Sequence, residues 1–481
     1  ARSDGDDRRI TCRGLLHRSE RLARALRGAY GLGAGDRIGV LCRNHPGMVE
    51  VMVAGDLIGA DVVLINTGLS GSQLAAVAQE QRLRALWHDA EFAELVAGLP
   101  AELPRVDDRE HAALVESAPP RPVRRQDRLT PPQRPGRTIV LTSGTTGTPK
   151  GARRRIPPGF GPLVSIIGRI PLRARTRMMI AAPIFHTWGY AALQVGLALR
   201  ATIVLHRRFE PEATLRALVR HECDALFAVP VMLQRILEVP PPAPRPPLSV
   251  VAVSGSALPG GLATRFMNAY GDVLYNLYGS TEVSWASIAT PAELRRAPNT
   301  AGRPPRGTRV AILDPAGRPV PTGQVGQIFV GNDMLFEGYT SSATTRAVHD
   351  GMIGTGDLGH IDADGLLFVG GRADDMIVSG GENVFPSDVE DLLAGLPQVR
   401  EVAVIGVPDA EYGQRLAAYL VLHPGETLDE SAVREYVRRY RARFSVPRDV
   451  VFLPALPRNA TGKVVPAWLP RPDTGQPPSS P

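Results

Sequence analysis

Between Cys12 and Gln81 the hydrophobic pattern switches repeatedly between the period of a helix and that of a strand. In "CRGLLHRSERLARALRGAY" the spacing puts Leu15, Leu22 and Leu26 on one helical face. "GLGAG" follows a helix rather than a strand, so it reads as a helix stop and not as a dinucleotide loop. "DRIGVLC" then reads as a strand, Asn44 as the N-cap of a helix over "GMVEVMVAGDLIGA", "DVVLIN" as a second strand and "SGSQLAAVAQEQ" as a further helix. Repeated strand–helix–strand order predicts an α/β fold with mostly parallel sheets covered by helices.

A chain of 481 residues exceeds a single core, which predicts two or three domains. The texture changes after about residue 373. "VREVAVIGV" and "QRLAAYLVL" read as strands, and "TLDESAVREYVRRYRARF" as a helix opened by a capping box of Thr427 and Glu430. The expected organisation is a large domain over 1–373, a small α+β domain over 374–465 and a disordered Pro/Ser tail over 466–481. Residues 118–137 and 239–247 read as Pro-rich surface connections.

Hydrophobic content of 43% and charged content of 21% fit a soluble globular protein. The net charge of +7 comes from arginines spread along the chain, and their short clusters read as solvated surface, so no nucleic-acid partner is expected. The apolar run from Met178 to Leu199 is broken by Pro183, His186, Thr187, Gly189 and Gln194, which predicts a buried strand and helix and no transmembrane segment. Three cysteines without paired spacing argue against a disulfide framework or zinc site and fit a reducing, cytoplasmic setting.

Of the 55 basic residues only two are lysine: Lys150 in "LTSGTTGTPKG" and Lys463 in "RNATGKV". The first stretch follows a short strand, Thr138 to Leu141, and is rich in glycine and hydroxyls. Ser143, Thr145, Thr146 and Thr148 offer hydroxyls, and the loop from Thr142 onward offers N–H groups, to phosphate oxygens, while Gly144 and Gly147 let the backbone approach closely. Lys150 adds a compact charge. The loop is not a Walker A motif, because Gly-Lys-Ser/Thr is missing.

This string resembles the phosphate-loop signature of the adenylate-forming superfamily: acyl-CoA synthetases, luciferases and the adenylation domains of peptide synthetases. In the same order, "PIFHTWG" resembles its acyl-pocket motif and "YNLYGSTE" its adenine- and magnesium-binding motif. "TGDLGHIDADGLLFVGGRADDMI" resembles its ribose-binding and hinge segment, and "PRNATGKV" its C-terminal lysine motif. The resemblance spans nearly the whole chain. Family members usually carry more sequence before a segment like "ITCRGLLHRSERLARAL", so some N-terminal family sequence is expected to be missing.

The resemblance implies a large N-terminal domain, a small mobile C-terminal domain turning about Asp374, and roles for individual residues. Asp357 and Arg372 would hold the ribose, although an Asp in a TGD turn can simply cap it. Tyr278 and Gly279 would meet adenine, Thr281 the α-phosphate, and Glu282 would ligate Mg2+ through a hard oxygen. Ser254, Gly255 and Ser256 in "SGSAL" would line the adenine and acyl pockets, with Trp188 and Gly189 shaping the acyl floor. His186 has two readings: a core histidine with a satisfied hydrogen bond, or the family's acyl-pocket gate. Lys463 would bring its charge between the substrate carboxylate and the α-phosphate, and Lys150 would serve the pyrophosphate. A broad guanidinium is the wrong shape for such a point charge.

The implied activity is ATP-dependent ligation of a carboxylic acid to coenzyme A through acyl-AMP, with ATP, Mg2+ and CoA as cofactors and co-substrates. The apolar "PIFHTWGYAALQVGLAL" favours a fatty or other aliphatic acid. Two alternatives stand beside it: a stand-alone adenylating enzyme that loads a phosphopantetheinyl carrier protein, and a non-catalytic nucleotide-binding scaffold. Intact Lys463, Glu282 and Asp357 argue against the scaffold.

Overall fold

The computed structural model describes residues 9–117, 129, 131–141, 150–154, 159–340, 347–379, 382–409, 411–459 and 462–472. Four sheets order the described chain. The first has seven strands, with Arg37–Leu41, Asp61–Leu64, Thr138–Leu141 and Ala85–His88 running parallel at its centre. Its edge turns antiparallel where Gly151–Arg154 pairs with Thr138–Leu141 and with Phe336–Tyr339. The second sheet has six strands, five of them parallel, with Val250–Val253 between Ala225–Ala228 and Leu274–Tyr278. The α/β class with mostly parallel sheets is therefore what the sequence predicts.

One hydrophobic core joins these two sheets. The helix Pro46–Ile58 belongs to it, with Met48, Val51, Ala54 and Ile58 at 0–1% exposure. The first helix, Cys12–Tyr30, buries Leu22 and Leu26 and stops at Gly31, whose φ of 61° is left-handed. That is the stop signalled by "GLGAG".

The third sheet is antiparallel and includes Met352–Ile361 paired with Leu367–Arg372. The fourth belongs to the C-terminal part, where Val399–Asp409 and Gly413–Leu422 form a long hairpin covered by Pro386–Leu393 and Glu430–Tyr440.

Three local expectations need correction. The N-cap of Pro46–Ile58 is His45, whose Nδ1 accepts from Gly47 N at 3.1 Å. Asn44 is used over a longer range: its amide donates to the carbonyls of Ile180 and Ala182 and accepts from Ile184 N at 2.8 Å. The cap of Glu430–Tyr440 is Asp429, accepting from Ala432 N, and not a Thr427–Glu430 box. Lastly, residues 466–472 are ordered: Leu469 is buried, and the Tyr419 hydroxyl donates to the carbonyl of Pro470 at 2.6 Å. The rest of the expected tail, 473–481, lies outside the described residues.

Candidate active site

The loops after the parallel strands of the second sheet, the third sheet and the C-terminal unit enclose a continuous cleft of about 2150 Å3. In open α/β sheets the strand ends are where ligands sit. Both lysines line this cleft, together with His186, Trp188, Gly189, Ser254, Gly255, Ser256, Tyr278, Gly279, Thr281, Glu282, Asp357, Arg372 and Asp374. Thr142, Ser143, Gly144, Thr145, Thr146, Gly147 and Thr148 lie outside the described residues.

Tyr278 closes the Leu274–Tyr278 strand, and its hydroxyl donates to Asp357 Oδ2 at 2.5 Å. Burial and then the Asp357 charge push the phenol well above its ordinary pKa. Asp357 faces Arg372 across the antiparallel register of Met352–Ile361 and Leu367–Arg372. A carboxylate and a guanidinium therefore leave one strand pair on the same side.

Beyond Tyr278 the chain folds back sharply. A Cβ on Gly279 would lie 2.3 Å from the Ser284 carbonyl oxygen, so only glycine fits. Ser284 itself takes a φ of 63°, held by its hydroxyl donating to Met334 O at 2.8 Å. Strain of this kind persists where the surroundings over-determine it, often at functional sites. The turn buries Glu282 to 5% exposure, where one carboxylate oxygen accepts from the Tyr339 hydroxyl at 2.6 Å. Thr281 Oγ1 stands 3.2 Å from Thr187 Oγ1 and so joins two of the motifs.

Tyr339 is a residue the sequence did not single out. Its ring centre lies 5.9 Å from Lys150 Nζ while its hydroxyl holds Glu282, so it touches both the phosphate-loop lysine and the proposed magnesium ligand. The only sequence cue is an aromatic after glycine in "FEGYT". The contact arises because Tyr339 pairs with Ala152 at the antiparallel sheet edge.

His186 precedes the helix Thr187–Ala198 without capping it. Its Nε2 is enclosed with no hydrogen-bond partner, its ring lies 4.5 Å from that of Phe185, and burial pushes its pKa down to about 4. The reading of a satisfied core histidine therefore fails at Nε2, and the imidazole is neutral. Trp188 is anchored by Nε1 donating to Ala228 O at 2.9 Å. Gly189 is required by crowding, since a Cβ there would lie 2.2 Å from Pro183 O.

Lys463 is exposed in a hairpin whose arms pair antiparallel at Arg458 and Val464. Asn459 Oδ1 accepts from its N–H at 3.0 Å, and Arg458 donates to Gly462 O at 2.7 Å while pairing with Glu401. The hairpin presses on the helix Pro230–Leu237: a Cβ on Gly462 would meet Val231 Cγ1 at 2.6 Å. Further contacts tie the C-terminal unit to the rest. Arg400 pairs with Glu238 through two bonds of 2.7 and 2.8 Å, and Gln234 donates to Arg400 O at 2.6 Å. Asp374 is exposed in the short turn Ala373–Asp375.

Two cations, a buried carboxylate, clustered hydroxyls and an Asp–Arg pair around one cleft suit a nucleotide triphosphate and an acid brought together. Such a site on such a fold defines an adenylate-forming enzyme. The chain belongs to the AMP-binding enzyme family, whose sequence pattern matches residues 1–340, while the pattern of the AMP-binding enzyme C-terminal domain matches residues 388–463. It is 33% identical to a feruloyl-CoA synthase of Amycolatopsis sp, over 95% of this chain and 92% of that protein. It is 31% identical to the 2-succinylbenzoate–CoA ligase of Bacillus licheniformis, over 95% and 94%. The structure matches o-succinylbenzoate CoA synthetase from Bacillus subtilis in complex with its acyl-adenylate intermediate, with a TM-score of 0.84 at 27% identity over 96% of this chain and 93% of that one. The protein is thus an AMP-forming acyl-CoA ligase that uses ATP, Mg2+ and CoA. Among the described residues, no helix is long and apolar enough to cross a membrane.

Proposed function

We propose that this ligase activates an acid with an apolar body, and that Lys463 and the Asp357–Arg372 pair carry the adenylation step. The supporting observation is that Lys463, Lys150, Glu282 and Asp357 line one cleft although they span more than three hundred residues of sequence. A carboxylate oxygen of the acid attacks the α-phosphorus of ATP, the bond to the β-phosphate breaks, and pyrophosphate leaves. Lys463 offsets charge where carboxylate and α-phosphate meet, Thr281 donates to the α-phosphate, and Lys150 serves the departing phosphates. Asp357 accepts from the ribose hydroxyls, with Arg372 beside it. Glu282, a buried hard-oxygen donor, fits Mg2+, which neutralises phosphate charge when bound. The CoA sulfur then attacks the acyl carbon, the bond to AMP breaks, and the thiol proton is lost.

The two steps need different faces of the C-terminal unit. We read residues 374–465 as a mobile domain on the large domain 1–373, turning about exposed Asp374. The contacts of Arg400 and of the Gly462 hairpin support an arrangement in which Lys463 is presented to the cleft. Neutral His186, beside the acyl end, supports a role in orienting the acid. Pyrophosphate release across a panel of acids, with thioester yield measured with CoA and with a phosphopantetheinyl carrier protein, tests the reading. Release that depends on neither acid nor Lys463 would defeat it, and a preference for the carrier protein would reassign the thiol.

A further inference from the structure

The cleft does not end at Trp188. It continues along the helix Thr187–Ala198, lined there by Ala191, Val195 and Ala198, and by Leu163 and Ile166 of the facing helix Gly161–Ile167. Spacings of four and three residues put Ala191, Val195 and Ala198 on one face. The opposite face packs on the sheet: Leu193 is buried, and a Cβ on Gly196 would lie 2.8 Å from Met178 Sδ. Beyond Thr187, the only polar side chain that either helix gives to the cleft is Gln194. The lining loses cover along the helix: Ala191 and Val195 are half-buried and Ala198 is exposed, while Phe160, which also lines the cleft, is 76% exposed. Apolar lining that runs from half-buried Ala191 and Val195 out to exposed Ala198 is what an open-ended channel requires.

The length of this channel follows from helix geometry. Ala198 lies ten residues past Trp188, which at the helical rise is about 15 Å. An extended hydrocarbon chain built from ordinary carbon–carbon bonds advances roughly 1.3 Å per carbon, so the channel matches about ten to twelve carbons. We infer that the acid is an unbranched apolar chain of about this length, lying along Ala191, Val195 and Ala198 with its end leaving at exposed Ala198. Alanine at two of these three positions leaves the bore open, and the three residues act as a ruler for chain length. This inference rests on the acyl-CoA ligase reading and adds the substrate class.

The test measures kcat/KM for thioester formation with hexanoate, octanoate, decanoate, dodecanoate and tetradecanoate, beside ferulate and indoleacetate. Each methylene taken out of water is worth roughly fourfold in binding, so values should climb with chain length and then level off near dodecanoate, where added carbons reach water. Tryptophan placed along the channel should move the break-point in order of depth. Ala198→Trp should lower the ratio of dodecanoate to hexanoate about tenfold, Val195→Trp should also lower that of decanoate, and Ala191→Trp that of octanoate. The wild-type profile decides without any variant: a preference for ferulate or indoleacetate with no turnover of decanoate and longer acids overturns the inference. So do variants that depress every acid by one common factor. Failure of the underlying reading looks different, because then no acid of either class would give CoA-dependent thioester.

Discussion

The end of the cleft proposed here for the nucleotide and the end proposed for the acid are built by different means. The nucleotide end uses polar side chains fixed by turns and strand pairs: Tyr278 on Asp357, Tyr339 on Glu282, Asp357 opposite Arg372. Each of these groups faces a partner, and the turn at Gly279 admits no other residue. The acyl end is the bare face of a helix, where Ala191, Val195 and Ala198 make no directed contact, beside a histidine whose Nε2 has no partner. Preorganised charge must be placed to within tenths of an ångström to act on a transition state, whereas apolar surface only needs the right volume. The first end should therefore be intolerant and the second adjustable.

The hardest test of that contrast is Lys463→Ala. Loss of one preorganised charge should lower the adenylation rate by about 10²–10³-fold, read as pyrophosphate release. Thioester formation from synthetic acyl-AMP should persist. Lys463→Arg should also stay well below wild type, because charge survives but shape does not. Equal loss of both steps in a folded variant would remove the lysine from adenylation. Next in size, Asp357→Ala should weaken ATP binding by about 1–3 kcal/mol, the worth of a charged hydrogen bond, measured by titration calorimetry. Unchanged affinity would end the ribose assignment.

Tyr339→Phe should cost less, about 1 kcal/mol, and should appear as a raised Mg2+ requirement rather than a raised acid KM. A shift in acid KM alone would place Tyr339 outside the nucleotide end. The last effect is on stability rather than on binding or rate, and belongs to the acyl end. With the His186 pKa pushed down to about 4 by burial, against about 6.5 in an unfolded chain, the unfolded state binds the extra proton first as pH falls. His186 therefore leaves stability untouched above pH 6.5 and takes it away between about 6.5 and 4. In His186→Gln the fall in Tm from pH 7 to pH 5 should be shallower than in wild type. An identical fall would mean that the ring is solvated.

The same contrast explains what could be read from the sequence. That Tyr278, Glu282 and Asp357 belong together was legible because their motifs, "YGSTE" and "TGD", join demanding residue types at short spacing, and the fold brings them to one cleft. The parallel sheets were legible from the alternation of helix and strand periods. Tyr339 was not, because its neighbours Lys150 and Glu282 come together only through strand pairing across almost two hundred residues. The role of Asn44 was misread for a related reason: a local cap and a distant carbonyl compete for the same amide, and only the folded sheet shows that the Ile180 and Ala182 carbonyls win. The apolar ruler was hidden because "YAALQVGLA" would serve equally as plain core, and only the folded chain shows Ala191, Val195 and exposed Ala198 lining the cleft.

The pairing of two lone lysines with one cleft has a consequence for reagents rather than for catalysis. In most proteins an amine-selective label scatters over a dozen surface lysines, and its site must be found afterwards. Here, apart from the α-amino group of the chain, every amine in the sequence lines the cleft. Acylating and reductively alkylating reagents thus become occupancy probes by default. Protection of Lys150 and Lys463 by ATP, read as mass gain on two peptides, would report on the cleft without a single engineered residue.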